Sequence, residues 1–416
     1  MNIKLLLTSG FMLAALASNA QTNKGYAITG DGNNDFLWMN IREVDLGTGQ
    51  VTKTIFERSK SNFVLTDIAT KKSVDQVANA NNIGAKDYPT STMVAAAAYD
   101  KRSNKLFFIP MRMGELRWVD LNIKNETPQF YTQSSAVLKV ANDPRDEATN
   151  ITRMTIGADG NGYAISNDGN HLVRFTTAKT PVVTDLGNIV DAESSKGISI
   201  HNKCSSWGGD MVADAFGKLY VISANQQVFV IDIESRIATY KGSITGLPSG
   251  YTTNAAAVNT EGDIVICSAN KFDGYFKLKL ADLAAVKIEG SDVKYNASDL
   301  AGSNLLLQKE ADAANKFSMA DSKLSPVINN SEAKVFPNPV TASSFNVLFD
   351  RQKEGIYTII LTDLAGRSLQ SKVVSVTKGT QTENVNLSSR PAKGMYLVKV
   401  IDENKQTVIT EKVMIQ

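Results

Sequence analysis

The stretch MVAAAAYDKRSNKLFFIP, residues 93–110, decides the fold. A strand of very small residues runs into a polar turn, and a strand of bulky apolar residues runs back. The same unit recurs as RMTIGADGNGYAIS (153–166), DMVADAFGKLYVIS (210–223) and NAAAVNTEGDIVICS (254–268). A third strand follows each unit: LRWVDLN (116–122), HLVRFTT (171–177), QVFVIDIES (227–235) and YFKLKLADL (275–283). Short fourth strands follow these: PQFYTQ, PVVTDLG, IATYKGS and AAVKIEG. The second strands begin at Leu106, Gly162, Leu219 and Asp263. That spacing, roughly 45 to 57 residues, is the period of four-stranded units arrayed about an axis.

The pattern resembles β-propeller repeats. Innermost propeller strands crowd the axis, so Ala, Gly, Ser and Thr suit them and Leu does not. The first unit lacks such a strand. GYAITG (25–30) reads as a second strand, FLWMNIREVDLGTG (36–49) as a third and VTKTIFE (51–57) as a fourth. SDLAGSNLLLQ (298–308) would supply the missing one and close the ring, removing its free edges. This gives about five blades, or six if 58–92 holds an irregular one. A stacked β-sandwich is the competing architecture. Helical period is scarce, and one helix is expected over Lys71–Gly84. Surface-layer-type blades are similar in pattern, but no Trp-Asp dipeptide, sialidase box or paired-glycine kelch signature is present.

Composition narrows the function. Net charge is +2 without a dense Lys/Arg run, which argues against a nucleic-acid partner. Two cysteines, Cys204 and Cys267, make no disulfide scaffold and no thiolate zinc site alone. No G-x-S-x-G elbow, H-E-x-x-H helix or P-loop occurs, and no catalytic residue is assigned. His171 falls in a strand of its unit. His201 lies in a long loop with Cys204, Trp207 and Asp210. Trp207, His201 and Asp210 are therefore the candidate ligand-binding residues. Trp38 and Trp118 fall in strands and read as packing between blades. Long loops at 58–92, 134–150 and 188–209 would stand on the propeller faces, where binding residues gather. The turns GDGNND, GADGNG and SNDGNH offer carboxylate oxygens, with Asp31, Asp35 and Asp159 as candidate calcium ligands. Tight turns demand the same residues.

The two ends carry addresses. Residues 1–20 form a signal peptide: one lysine, an apolar run Leu5–Leu16, then small Ser18 and Ala20 before Gln21. The run is too short to span a bilayer, and no later one is longer. Residues 21–310 are the propeller-like region, 311–332 a polar linker and 333–416 a separate all-β segment. Some seven strands there suit a small Ig-like sandwich.

That last segment resembles the type A C-terminal sorting domain of the type IX secretion system of Bacteroidetes. The matching pieces are VFPNPV (335–340), YTIILTDLAGRSL (357–369), NLSSRPAKGMYLVKV (386–400) and EKVMIQ (411–416). Pro337, Asn338, Pro339, Gly366, Arg367, Gly394, Tyr396 and Lys412 stand at the matching positions. The resemblance implies Sec export to the periplasm, then passage through the type IX translocon. Sortase-like removal of the domain and attachment to anionic lipopolysaccharide commonly follow. The product is secreted or displayed on the outer-membrane cell surface. A surface β-propeller that binds a glycan or protein is the leading expectation. An extracellular polysaccharide hydrolase or lyase, using blade-loop carboxylates, is the alternative.

Overall fold

The computed structural model describes residues 23–32, 35–76, 88–122, 127–290, 295–313, 334–341, 343–350, 352–363, 367–377, 380–387, 391–403 and 407–416. The signal peptide, most of the linker and Gly366 fall outside these residues. The chain divides into two compact units, Met1–Ala313 and Ala314–Gln416.

The first unit is a five-bladed propeller. Its inner strands are Val94–Asp100, Ile151–Ile156, Asp210–Ala213, Ala255–Val258 and Ala297–Gly302, packed side by side in a closed ring. Each begins an antiparallel blade. The first blade is closed by two distant parts of the chain, because Ala297–Gly302 pairs with Lys24–Thr29, with Leu300 opposite Ala27. The expected strand swap is thus observed. Among the described residues of 58–92, no sixth blade forms. Phe63–Asp67 and Ser73–Gln76 instead extend the outer edge of the second blade, the former pairing in parallel with Gln129–Ser134.

The helix expected over Lys71–Gly84 is corrected in part. Lys71 and Lys72 lead into a strand, Ser73–Gln76, paired with Phe63–Thr66; residues 77–84 lie outside the described residues. Apolar residues at short spacing fit either period, and an available sheet edge decides. Trp38 also leaves its expected strand, which begins at Asn40. His171 sits just before the strand Leu172–Phe175 rather than within it. Trp118 is buried as expected, stacked on Tyr131 with ring centroids 5.5 Å apart.

Small residues are what let the five strands meet. Ala96, Ala97, Ala98, Ala213, Ala255, Ala256, Ala257, Ala297 and Ala301 are all buried there. A Cβ added to Gly302 would lie 3.2 Å from the Ala257 Cβ. Glycine also makes room between strands. A Cβ on Gly162 would fall within 1.9 Å of the Phe175 ring, which occupies that space instead.

Beyond the closing strand, the chain runs back under the ring. Leu306 bridges to Asp214, and its amide donates to the Ala213 carbonyl at 3.0 Å. This strap lies at the C-terminal ends of the inner strands. The loop residues 30–32 and 35–39, and the loops at 135–150, 186–209, 223–226 and 244–254, lie at the other end, where inner strands begin.

The second unit is a sandwich of a three-stranded and a four-stranded sheet. Gly355–Asp363 and Gly394–Asp402 alternate inward and outward along their length, as a half-buried antiparallel sheet requires. Both open on a Gly-x-Tyr pattern. Tyr357 donates to the Lys353 carbonyl at 2.8 Å and Tyr396 to the Ala392 carbonyl at 2.6 Å. VFPNPV joins the two sheets. Val335 pairs with Val347 in one, Val340 bridges to Ile415 in the other, and both valines are buried. Between them, both X-Pro bonds, Phe336–Pro337 and Asn338–Pro339, are cis. The Asn338 amide donates to the Lys412 carbonyl at 2.8 Å, and its oxygen accepts from the Met414 amide at 3.0 Å. Arg367 folds onto Asp363, its Nε 2.7 Å from the carboxylate. Gly394 opens its strand opposite Ile415.

Substitutions at two crowded positions, Ala257 and Gly162, test the packing. Ala257→Leu should cost about 1–3 kcal/mol by urea unfolding, through overpacking at the axis. Val286→Leu, which adds bulk at an exposed blade edge instead, should cost nothing measurable. Gly162→Ala should destabilise by a similar amount, and shortening the ring in Gly162→Ala/Phe175→Leu should recover part of the loss.

Candidate binding face

Four arginines organise the loop-bearing face, and three of them are sealed from solvent. Arg42, Arg117 and Arg153 each sit near the start of a strand and Arg58 lies in the turn just past Val51–Phe56, where the side chains can reach the loops that gather there. Arg42, 1% exposed, donates to the Gly30 carbonyl at 3.0 Å and to the Thr29 hydroxyl. Its guanidinium carbon lies 3.8 Å from the centre of the Tyr295 ring. Arg117 donates to the carbonyls of Tyr88 at 2.6 Å and Pro89 at 2.8 Å, and pairs with Glu115 at 2.8 Å. Arg153 donates to the carbonyls of Gly208 at 2.9 Å and Ser166 at 3.3 Å, and to that of Ser206. Burial pulls its pKa down to about 10, so it stays charged at neutral pH. Arg58, the fourth, donates to the Leu37 carbonyl at 3.1 Å. A guanidinium offers five donors in a rigid fork, so one side chain can satisfy several loop carbonyls at once.

The candidate ligand-binding residues fall into two places. His201 and Trp207 share one loop. The Trp207 indole N–H donates to the His201 carbonyl at 3.0 Å, and the His201 Nδ1 meets the Asp168 carbonyl. Lys203 lies over the Trp207 ring at 4.9 Å and pairs with Glu147 at 3.1 Å. Two glycines at positive φ, Gly208 and Gly209, then turn the chain into the inner strand. A Cβ at Gly209 would lie 1.9 Å from the Ile222 carbonyl oxygen. Asp210 therefore points inward, 1% exposed and apart from the other two. Its carboxylate accepts from the amides of Met211 at 2.7 Å, Ala256 at 2.6 Å and Leu300 at 3.3 Å.

The candidate calcium ligands also separate. Asp31 and Asp35 converge, but on Arg58, at 2.6 and 2.9 Å. Burial pushes the Asp31 carboxyl up, and the Asn40 amide and Arg58 outweigh it to hold it below its ordinary range. Asp159 lies in the hairpin turn at the opposite end of the third blade. It accepts there from the Asn161 amide at 3.0 Å and the Tyr163 hydroxyl at 2.9 Å. Among the described residues, no group of three or more His, Cys, Asp or Glu is placed to hold a metal. Cys204 is exposed and Cys267 buried, and both are free; burial pushes the Cys267 thiol up to about 12.

Beside the Asp31–Asp35–Arg58 cluster stands an apolar ridge. Phe36 and Leu37 are 45% and 40% exposed. Trp38 meets Phe36 edge-on at 6.4 Å and packs its inner side on the core of the first two blades. Sequence reasoning assigned this tryptophan to packing and passed over the arginines. Their signal was present: an arginine at the third position of a short strand, as in NIREVD, ELRWVD and ITRMTI.

Solved structures with similar folds include PorZ, a surface component of the type IX secretion system of Porphyromonas gingivalis. It is 13% identical, with a TM-score of 0.32 over 94% of this chain and 51% of that one. A putative 6-phosphogluconolactonase from Bacteroides uniformis is 10% identical, with a TM-score of 0.35 over 88% of this chain and 100% of that one. Virginiamycin B lyase from Staphylococcus aureus is 7% identical, with a TM-score of 0.33 over 94% of each chain. The chain spans about half the length of the PorZ structure. No curated protein matches it in sequence. Among the described residues, no helix is long and apolar enough to cross a membrane. Residues 334–416 match the secretion system C-terminal sorting domain family, the tail of type IX export, which marks this chain as one sent to the cell surface or released.

Proposed function

We propose that the exported propeller is a binding protein whose ligand contacts lie on the loop-bearing face, and that the ligand is a glycan. One observation carries this reading. The ridge of exposed Phe36 and Leu37, backed by half-buried Trp38, stands against a fixed carboxylate–guanidinium cluster, Asp31, Asp35 and Arg58. A sugar presents an apolar ring face and a rim of hydroxyls, and this arrangement offers a partner to each. The loops carrying the ridge are tied down by buried guanidinium groups. Little ordering entropy is then lost on binding. A protein ligand anchored on the same ridge is the neighbouring possibility that the test separates. The hydrolase or lyase reading needs carboxylates free to move protons, whereas Asp31 and Asp35 are committed to Arg58. Cleavage in the linker and attachment to anionic lipopolysaccharide by sortase-like machinery complete the proposal. They rest on the sorting segment alone.

The mature chain on a glycan and peptide array should bind a glycan class. Phe36→Ser/Leu37→Ser should weaken that binding at least tenfold while leaving the circular dichroism spectrum unchanged. Binding confined to peptides, or polymer turnover abolished by a single carboxylate substitution, would overturn the reading. For the export route, a chain ending at Ala313 should accumulate in the periplasm. Its appearance in the medium at the full-length level would remove the sorting role from residues 334–416.

A further inference from the structure

The axis of the ring holds two carboxyl groups that nothing so far explains. Asp210 and Asp299 belong to the fourth blade's inner strand and to the closing strand, and are 1% and 0% exposed. Asp210 is well supplied: three backbone amides, from three different stretches of the ring, point at its oxygens. One of them is Leu300, the neighbour of Asp299. Asp299 is not supplied. Neither of its oxygens has a well-formed hydrogen-bond partner as a carboxylate. The groups it faces are the Ala97 amide and the Asp210 carboxyl itself. Two negative charges in contact, shielded from water, cannot both persist.

The surroundings decide what neutralises them. The inner strand of the second blade brings the Ala97 amide toward Asp299. That of the third blade brings the Arg153 guanidinium, near Asp210 but donating to loop carbonyls. That of the fifth brings alanines and the Ala256 amide. On the closing strand, Ser298 is turned away and donates to the Val94 carbonyl at 2.7 Å. Amide N–H groups aimed at Asp210, with a guanidinium nearby, repel a metal cation and suit a proton donor.

We propose that Asp299 keeps its proton at neutral pH and donates it to Asp210, and that this hydrogen bond fastens the closing strand to the ring as a pH-sensitive clasp. Asp210 then gathers the fourth blade, the fifth blade and the closing strand on one carboxylate. When Asp299 ionises, the bond becomes a repulsion at the point where the two ends of the propeller meet. Burial, and then the Asp210 charge, push the Asp299 carboxyl well above its ordinary range.

The sign of the pH effect follows. In the unfolded chain the Asp299 carboxyl loses its proton near pH 4. In the folded ring it keeps that proton to a higher pH. Between those two values unfolding releases one proton, so stability falls as pH rises, and it levels off above the folded value. Carboxylates held low, such as Asp31 and Asp100, act in the opposite sense, and only at acid pH. The readout is therefore a difference between variants.

The test is thermal melting of the full mature chain from pH 5 to 8.5, beside Asp299→Asn, whose amide can donate to Asp210 without titrating. The variant should gain roughly 3–6 °C on the wild type between pH 5 and pH 8. Parallel profiles would overturn the proposal. So would calcium or sodium raising the melting temperature of the wild type at pH 8 but not of the variant, since a cation would then occupy the pair. If Asp299→Asn does not fold, infrared spectroscopy of the wild type decides. A protonated-carboxyl stretch at pH 7 that shifts in D2O supports the clasp, and its absence overturns it.

Discussion

Crowding at the axis governs the propeller. Five strands converge on a channel whose remaining cavity, lined by Ala97, Met154, Met211, Ala256, Leu300 and their neighbours, is about 10 Å³, room for about one water. A side chain there is a methyl group, a residue turned aside, or a group that must find every partner within the ring. Alanine answers the first demand, which is why it marks the inner strands so clearly. The Asp210 carboxylate answers the third by drawing on amides from three strands. The same crowding makes closure an all-or-none event. The last inner strand has a place only between neighbours already set, and its outer partner is the sequence-distant strand Lys24–Thr29.

The loop-bearing face rests on a different device. Loops that cross the mouth of a ring expose many carbonyls and little regular hydrogen bonding. Arg42, Arg117 and Arg153 supply donors from the strands below, and Arg58 from the turn after Val51–Phe56, so the loops are held by charge-assisted bonds. A buried guanidinium is costly unless its donors are used, and here the loop backbone uses them. Rigidity at this face is therefore written mostly in strands. The residues that touch a ligand can vary without loosening the loops that carry them.

Much of the fold was legible in the sequence because crowding leaves a compositional trace. Alanine runs, polar turns and bulky return strands marked four blades, and the orphaned first blade pointed to the closing strand. The sandwich was legible through alternation and its flanking motifs. The site was less so. His201 and Trp207 are neighbours in sequence and remain neighbours in the fold. Asp210 is only three residues on, but two glycines and a strand start turn it to the axis. Trp38 and Ser73–Gln76 misled because short apolar runs do not reveal where a strand begins, or whether an unpaired sheet edge waits nearby. Arg153 could not be assigned to the Trp207 loop from sequence, since the two lie some fifty residues apart and meet only through the ring.

The strap below the ring bears on how the molecule carries a load. A protein held by its tail is pulled through the chain that follows Gly302. That pull reaches Leu306 before it reaches the closing strand, and Leu306 is buried and hydrogen-bonded to the Ala213 carbonyl, with the Ala215 amide donating to its own carbonyl at 2.9 Å. The strap acts as a cleat. It passes tension into the fourth blade before the seam between Ala297–Gly302 and Lys24–Thr29 is strained. Drag from a flowing medium would then be resisted by the body of the ring, and its one non-covalent seam would be the last part to feel it.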